Sequence, residues 1–348
     1  METLSPVVPP RRPSVPRLAI GRTAATSLTP VLAGRGERLL GSSRRRRWAD
    51  PIFRTTSLAF ALTVIAMTAV IASVLFLRSA PARAAFGWGF LTSSTWDPVF
   101  EHFGVLPFVW GTLASSAIAL LLALPLGLGA AICLSELLPT RWSDPAAFLI
   151  ELLVAVPSVV YGLVGVFVLV PLMRNIEGIL QSTLGFLPIF AGPAYGIGLL
   201  TAGILLAVMI VPFVVTISRE VLLAVPRAQR DAALALGATR WETVRHVVVP
   251  YARSGILGSV FLALARALGE TMAVTMVIGN RPEISASLFA PAHTMAAVLA
   301  NEFTEATGDV YLAALVEVAL VLFVITIVVN ALARLLILTV RAPDPARV

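Results

Sequence analysis

Six long apolar segments, separated by polar connections, dominate the hydrophobic pattern of the chain. They run at about 57–77, 109–134, 146–170, 197–217, 251–278 and 311–337. Each segment reaches or exceeds the ~20 residues that an α-helix needs to cross a bilayer. The pattern therefore predicts an all-α integral membrane protein with six transmembrane helices.

The polar ends of the chain differ in composition from the part between them. Residues 1–54 carry eleven arginines and are rich in proline near their start, so they bury too little apolar surface to fold alone. We expect 1–54 to be a disordered tail, 55–340 to form the membrane domain, and 341–348 to form a short C-terminal tail.

The arginines are divided unequally between the two sides of the predicted helix bundle. Six spans place both termini on one side, and that side carries 21 arginines against four on the other. Basic connections are retained in the cytoplasm during membrane insertion. We therefore expect both termini to be cytoplasmic.

Composition narrows the possible classes of function. The chain is 58% hydrophobic and 13% charged, and its mean hydropathy is +0.90. All 26 basic residues are arginine, which excludes a P-loop lysine and a Schiff-base lysine. Three histidines and one cysteine exclude a disulfide framework and a Cys/His metal cage. Composition excludes classes that need a large soluble catalytic domain and leaves a multispanning membrane protein in contact with lipid.

The polar connection between the fourth and fifth spans, 219–250, has the pattern of a folded element. Pro226 precedes a run of good helix formers, and Gly237 provides a helix end. Thr239 and Glu242 have the spacing of a capping box, which starts a second short helix. The sequence predicts helix, glycine bend and helix, with an apolar face that no other part of the chain covers. A loop lying on the lipid surface is the alternative.

The spacing in this connection resembles the EAA loop of binding-protein-dependent ABC importer permeases. That motif is Glu-Ala-Ala, three residues, Gly, nine residues, and Ile-x-Leu-Pro. The matching positions here are Asp231, Ala232, Ala233, Gly237, Val247, Val249 and Pro250. Asp for Glu and Val for Ile and Leu are mild departures. The resemblance implies a MetI-like ABC importer permease fold, in which these residues couple the spans to a separate ATPase. It therefore implies a transport subunit rather than an enzyme, with no cofactor or metal of its own and no contact with nucleic acid.

Four further segments resemble the PstC family of phosphate importer permeases. They are 90–98, 103–112, 157–162 and 266–280. This resemblance implies a prokaryotic inner-membrane complex that carries phosphate ion. Its other members would be a PstA-like second permease subunit, a PstB-like ATPase dimer that holds ATP and Mg²⁺, and a PstS-like phosphate-binding protein outside. The 1–54 tail is not part of the family pattern.

Two charged residues, Arg266 and Glu270, lie within the fifth apolar run. Sixteen residues beyond Pro250, Arg266 lies about 24 Å along the helix, where a charge costs about 2.5–3.5 kcal/mol. The i, i+4 spacing predicts an ion pair on the face that carries small residues. We interpret Arg266 as an anion-binding group on the substrate path, oriented by Glu270, with Thr271 and Thr275 as donors to an oxyanion. The alternatives are a purely structural ion pair and threonines that only bond preceding carbonyls.

Other functions stay open at the level of sequence. The chain could carry another oxyanion, such as molybdate or sulfate. An ion-coupled secondary transporter could use Arg266 and Glu270 as a proton relay, although the EAA-like loop would then be unexplained. A membrane scaffold or sensor in phosphate signalling is a third class. Glu317, near one end of the sixth run, is expected to be an interfacial or interhelical hydrogen-bonding group.

Overall fold

The computed structural model describes residues 43–340, and the side chains of residues 51–339. Within this part of the chain six helices are long and apolar enough to span a membrane, as the sequence pattern predicts. Spans 1 to 6 are Pro51–Arg78, Leu106–Leu137, Ser158–Leu184, Leu199–Leu223, Arg240–Leu268 and Asp309–Thr339. The predicted tails at 1–42 and 341–348 lie outside the described residues.

Many shorter elements make up these spans and their connections. The helices are α1 Ser43–Arg78, α2 Ala80–Phe86, α3 Gly89–Thr92, α4 Leu106–Ile132, α5 Thr140–Val154, α6 Ser158–Val164, α7 Val170–Leu184, α8 Leu199–Leu223, α9 Arg227–Ala235, α10 Arg240–Thr243, α11 Val249–Leu268, α12 Met272–Val277, α13 Met295–Glu302 and α14 Asp309–Val340. Single π-helical turns occupy Cys133–Leu137, Gly165–Leu169 and Val244–Val248, and a 3₁₀ turn occupies Pro188–Phe190. Strand β1, Trp96–Asp97, pairs antiparallel with β2, His102–Phe103.

The first helix begins inside the segment that was expected to be disordered. Helix α1 starts at Ser43, so residues 43–54 are helical and not disordered as expected. Arginine is a good helix former, and extending an existing helix costs far less than nucleating one. The apolar run that follows this segment in the chain supplies the helix nucleus. Composition alone does not show this effect.

The third apolar run does not form one helix over 146–170. The helix is interrupted at residues 155–157, between α5 and α6. Span 3 begins only at Ser158 and continues to Leu184. Proline lacks an N–H and disfavours helical backbone in the preceding residue, which explains the break. The span extends past several polar residues whose side chains are hydrogen-bonded within the chain. The buried Glu177 carboxylate, for example, accepts a 2.8 Å hydrogen bond from the backbone N–H of Gly196.

The fifth apolar run is also interrupted, although 251–278 was predicted to be one span. Helix α11 ends at Leu268, residues 269–271 are not helical, and α12 starts at Met272. Gly269 lies at the break, where its low helix propensity makes termination inexpensive. Hydropathy does not reveal the interruption because both sides of it are apolar.

Span 4 is the central helix of the bundle. In the most apolar 18-residue stretch of span 4, 61% of the residues are buried. In the corresponding stretches of spans 2, 3, 5 and 6 the buried share is 22–33%. Small residues allow close approach: a Cβ on Gly203 would lie 2.5 Å from Ile118 Cγ2 in span 2. The predicted small-residue face of span 5 packs on the same helix, where the hydroxyls of Ser259 and Ser218 share a 2.8 Å hydrogen bond.

An aromatic cluster closes the end of the bundle that carries β1 and β2, which we name the hairpin end. Glu302 lies at its centre and accepts hydrogen bonds from Trp96 Nε1 at 2.8 Å and from the Tyr311 hydroxyl at 2.7 Å. The Phe103 ring stacks on Tyr311 with 5.2 Å between ring centroids. The opposite end of the bundle, which carries 219–250, is named the loop end.

His293 lies buried at the hairpin end, and its ionisation predicts a pH dependence of stability. Burial lowers the pKa of His293 from 6.5 to about 4. The folded state therefore binds this proton less readily than the unfolded state, so stability is lost as pH falls below about 6.5. At pH 5.5 the loss is about 1.4 kcal/mol. Between pH 7.5 and 5.5 we expect the thermal unfolding temperature of His293→Gln to fall less than that of the wild-type protein. An equal fall in the variant and the wild type would contradict this prediction.

Candidate translocation site and coupling loop

The two helix breaks lie next to each other in the folded chain. A Cβ on Gly162, in α6, would lie 3.2 Å from the Cα of Ala273, in α12. One turn further along, a Cβ on Gly165 would lie 2.9 Å from Val277 Cγ1. Helix α6 follows the first break and α12 follows the second. The segments 157–162 and 266–280, which the sequence shows only as separate motifs, therefore form one site.

Arg266 lies in the last turn of α11, at the edge of this site. Its side chain is half-buried, and among the residues that the structure describes it forms neither a hydrogen bond nor a salt bridge. The Tyr161 hydroxyl lies within electrostatic range of the guanidinium and donates a 2.8 Å hydrogen bond to the carbonyl of Leu153, across the first break. The site thus contains a guanidinium that no carboxylate of the described chain neutralises.

The predicted ion pair between Arg266 and Glu270 does not form. Because helix α11 ends between the two residues, their i, i+4 spacing no longer places them on one helix face. Glu270 Oε1 instead accepts a 3.5 Å hydrogen bond from the backbone N–H of Ala273, at the start of α12. The geometry supports neither a structural pair nor direct orientation of Arg266 by Glu270.

The two threonines of the candidate site bond to the backbone. Thr271 Oγ1 donates to the carbonyl of Gly269 at 3.3 Å, and Thr275 Oγ1 donates to the carbonyl of Thr271 at 2.8 Å. Asn280 Nδ2 donates to the carbonyl of Thr275 at 2.9 Å. These hydrogen bonds satisfy backbone carbonyls around the break. They correspond to the alternative given by the sequence, in which the threonines bond preceding carbonyls. A threonine hydroxyl could donate to an anion only after rotating away from its carbonyl.

The coupling loop, 219–250, has the predicted arrangement of helix, glycine bend and helix. Helix α9 is followed by Gly237, whose φ of 88° lies in the left-handed region that glycine favours. The capping box is present: Thr239 Oγ1 accepts from the Glu242 N–H at 3.3 Å, and Glu242 Oε2 accepts from the Thr239 N–H at 2.8 Å. Local sequence therefore determines the shape of this loop.

The loop presents an uncovered surface, as the sequence predicts. None of the residues of α9 is fully buried, and Leu236 is 90% exposed. Asp231 and Ala232 of the EAA-like motif are exposed as well. At the motif's other end Val247 and Val249 are only half-buried, while Val248 between them is fully buried against span 2 and span 4 residues.

One buried ion pair attaches α9 to the membrane helices, and sequence reasoning missed it. Arg230 Nη2 and Nε donate to the two carboxylate oxygens of Glu136 at 2.6 and 3.1 Å, in the π-helical turn that ends span 2. Arg230 also donates to the carbonyls of Leu222 and Val225, at 2.8 and 2.5 Å. The two side chains are 18% and 10% exposed. We name this pair the clasp. Its members lie 94 residues apart, so no local spacing indicates it.

The described residues offer no ligand set for a metal. Within residues 43–340 no group of three or more histidine, cysteine, aspartate or glutamate side chains could hold a metal ion.

Comparison with known proteins adds independent information. The family model described as "Binding-protein-dependent transport system inner membrane component" matches residues 123–342. The phosphate transport system permease protein PstC of Mesorhizobium japonicum is 48% identical, over 86% of this chain and 93% of its own length. PstC of Haemophilus influenzae is 44% identical, over 86% of this chain and 97% of its own length. A probable PstC of Methanocaldococcus jannaschii is 36% identical, over 80% of this chain and 90% of its own length.

A solved structure supports the fold. The structure titled "Inward facing conformations of the MetNI methionine ABC transporter: CY5 native crystal form" contains a chain that matches with a TM-score of 0.52 and 16% identity, over 71% of this chain and 100% of that chain. This similarity confirms the predicted MetI-like permease fold. The family match and the PstC relatives establish that the chain belongs to the family of inner membrane components of binding-protein-dependent transport systems.

Proposed function

We propose that this chain is one permease half of an ATP-driven importer of inorganic phosphate. Relatives that match over most of its length are named as phosphate transport permeases. The structural observation that carries the proposal is the unpaired Arg266 at the junction of two helix breaks. Discontinuous helices provide polar backbone and side chains at membrane depth only where they line a cavity or a path.

Arg266 supplies the chemistry that an oxyanion path requires. A planar guanidinium donates two parallel hydrogen bonds to a pair of phosphate oxygens, and its charge offsets the transfer of the anion out of water. Because Arg266 has no carboxylate partner in the described chain, phosphate would not compete with an internal ion pair for it. Thr271 and Thr275, in the break and in α12, would act as secondary donors if each hydroxyl exchanged its backbone carbonyl for the anion.

The coupling loop supports the proposal that a partner chain hydrolyses the ATP that drives transport. An exposed apolar helix face, ended by a rigid glycine bend, fits a groove on an ATPase subunit that binds ATP and Mg²⁺. A second, PstA-like permease would complete the path, a PstB-like ATPase dimer would drive it, and a PstS-like binding protein would deliver phosphate. Alternating access then opens the Arg266 site to one side of the membrane at a time.

Transport by the reconstituted complex tests the proposal. The complex of both permeases, the ATPase and the binding protein is placed in liposomes, and uptake of labelled phosphate is measured with and without ATP. We expect ATP-dependent uptake that excess unlabelled phosphate blocks and that sulfate and molybdate leave unchanged. Uptake driven by an ion gradient without ATP would contradict the proposal, and so would preferential uptake of sulfate or molybdate.

We further propose that the chain lies in the inner membrane of a prokaryote with both termini in the cytoplasm. The excess of arginine at the loop end supports this orientation. With Cys133 replaced by alanine, single cysteines are introduced at the exposed Ser94, Ser182 and Gln229. In intact spheroplasts we expect an impermeant thiol reagent to label positions 94 and 182 and not 229. Labelling at position 229 comparable to that at positions 94 and 182 would show that the proposed orientation is wrong.

The glycine bend of the coupling loop gives a direct test of coupling. Gly237→Pro cannot keep φ at 88° and removes the hydrogen bond from the Gly237 N–H to the Leu234 carbonyl at 3.0 Å. We expect at least a tenfold loss of binding-protein-stimulated ATPase activity and uptake, with the spans still inserted. Gly237→Asn is the matched control, because asparagine tolerates this φ and a Cβ there meets nothing within 4 Å. Full stimulation in Gly237→Pro would show that the bend is not part of the coupling element.

A further inference from the structure

A cavity of about 830 Å³ opens at the hairpin end, apart from the candidate path and the coupling loop. It lies between α2, α3, the start of α4 and α14. Most of its lining is apolar, and two charged side chains, Arg83 and Glu317, border it. The volume is in the range of pockets that hold small molecules.

Glu317 is a buried carboxylate without a partner. It is 5% exposed, and within the part of the chain that the structure describes it accepts no hydrogen bond, with Oε2 fully enclosed. The sequence led us to expect a hydrogen-bonding group at this position, and the fold supplies no donor for it. An unsatisfied buried acceptor costs about 1–3 kcal/mol, and more when it is charged. A hydrogen-bond donor from outside the described chain would satisfy Glu317.

Arg83 borders the same cavity and lies within electrostatic range of Glu317, but no salt bridge joins the two among the described side chains. Its guanidinium donates to Ser79 Oγ and, at 2.6 Å, to the carbonyl of Phe76, and it lies 3.9 Å from the centroid of the Phe76 ring. Among the described side chains it forms no salt bridge, so a positive charge with unused N–H donors remains beside the cavity. Two opposite charges thus border one space without pairing with each other.

The apolar part of the cavity extends in one direction away from the two charged side chains. From Glu317 the wall continues along span 6 through Leu320, Val324 and Ile325, over about 12 Å of helix. Trp88, at the other side of the cavity, is 85% exposed, as is common for tryptophan at a membrane interface. The cavity therefore combines a charged part with an apolar part, which is the polarity of a phospholipid.

We propose that this cavity binds a phospholipid whose headgroup carries both a phosphate and a primary ammonium, as in phosphatidylethanolamine. The phosphate pairs with Arg83, the ammonium donates its N–H groups to Glu317, and an acyl chain lies along Leu320 to Ile325. Phosphatidylcholine has no N–H to donate, and phosphatidylglycerol has no cation for Glu317. An apolar helix of a partner subunit would cover the apolar wall but leave both charges buried and unpaired.

Lipid retention by the assembled complex tests this site. The complex is purified in mild detergent with an equimolar mixture of the three phospholipids, and native mass spectrometry measures which lipid stays bound. We expect retention of phosphatidylethanolamine at least tenfold above phosphatidylcholine, loss of this preference in Glu317→Gln, and at least a tenfold lower retention of all three lipids in Arg83→Gln. Glu305→Gln, which changes an exposed glutamate at the same end, is the matched control and should keep the preference.

The remaining outcomes overturn the proposal. Equal retention of all three lipids would mean that the cavity holds only non-selective boundary lipid. A preference that survives in Glu317→Gln would place the lipid elsewhere. Binding by the isolated chain but not by the assembled complex would show that a partner subunit occupies the cavity. If Glu317→Gln does not assemble, Arg83→Gln decides the question, because it leaves the buried carboxyl in place and removes the phosphate contact: unchanged lipid retention in that variant would overturn the proposal.

Discussion

Replacing Arg266 with glutamine is expected to reduce phosphate uptake by about 100-fold or more while the complex still assembles. Arg266 has no internal partner among the described residues, so its loss leaves no orphaned carboxylate behind. The variant loses two hydrogen bonds from a charged donor to the anion, each contributing about 1.5–3 kcal/mol. Arg266→Lys should recover little uptake, because an ammonium cannot donate the two parallel bonds of a guanidinium. Uptake of labelled phosphate into liposomes measures the effect.

Two comparisons make this prediction specific. Arg253→Gln is the matched control: it removes an exposed arginine from the same helix and should leave uptake near the wild-type rate. Glu270→Gln should be milder than Arg266→Gln, because Glu270 contacts the start of α12 and not the guanidinium. Wild-type uptake by the double variant Arg266→Gln/Glu270→Gln would contradict a path role for Arg266 and would instead indicate a structural pair.

Breaking the clasp should uncouple ATP hydrolysis from transport. Arg230 joins α9 to the end of span 2 through Glu136 and to span 4 through the Leu222 carbonyl. We expect Glu136→Gln to leave Arg230 with an unbalanced, largely buried charge, at a cost of about 3–5 kcal/mol. Helix α9 would then move independently of span 2. Phosphate transported per ATP hydrolysed should fall at least tenfold, although the ATPase still binds.

A purely stabilising clasp would give a different result. It predicts lower thermal stability and assembly with an unchanged ratio of transport to hydrolysis in the complexes that do form. Arg245→Gln is the control, since it removes an exposed loop arginine that forms no hydrogen bond within the described residues. If the reversed pair Glu136→Arg/Arg230→Glu restores stability, the coupling ratio should recover with it. An unchanged ratio in Glu136→Gln would rule out the coupling role.

The coupling loop shows how far local sequence reasoning extends. Its helix, bend and capping box all form where the sequence places them, because each depends on residues within four positions of one another. The ion pair of Arg266 and Glu270 shows the opposite case. Its spacing has meaning only if the helix continues, and hydropathy gives no sign that α11 ends at Leu268.

Sequence by itself determined that this is a six-span membrane protein with an exposed helix–bend–helix connection at 219–250 and a charged residue deep in its fifth apolar run. Those features follow from segment length, composition and short-range spacing, which do not depend on how the helices pack. Only the tertiary structure decided that two helix breaks meet beside Arg266, that Glu136 pairs with Arg230, and that Glu317 is left without a donor. Each of these depends on contacts between segments far apart in the chain, which close packing of the helices determines.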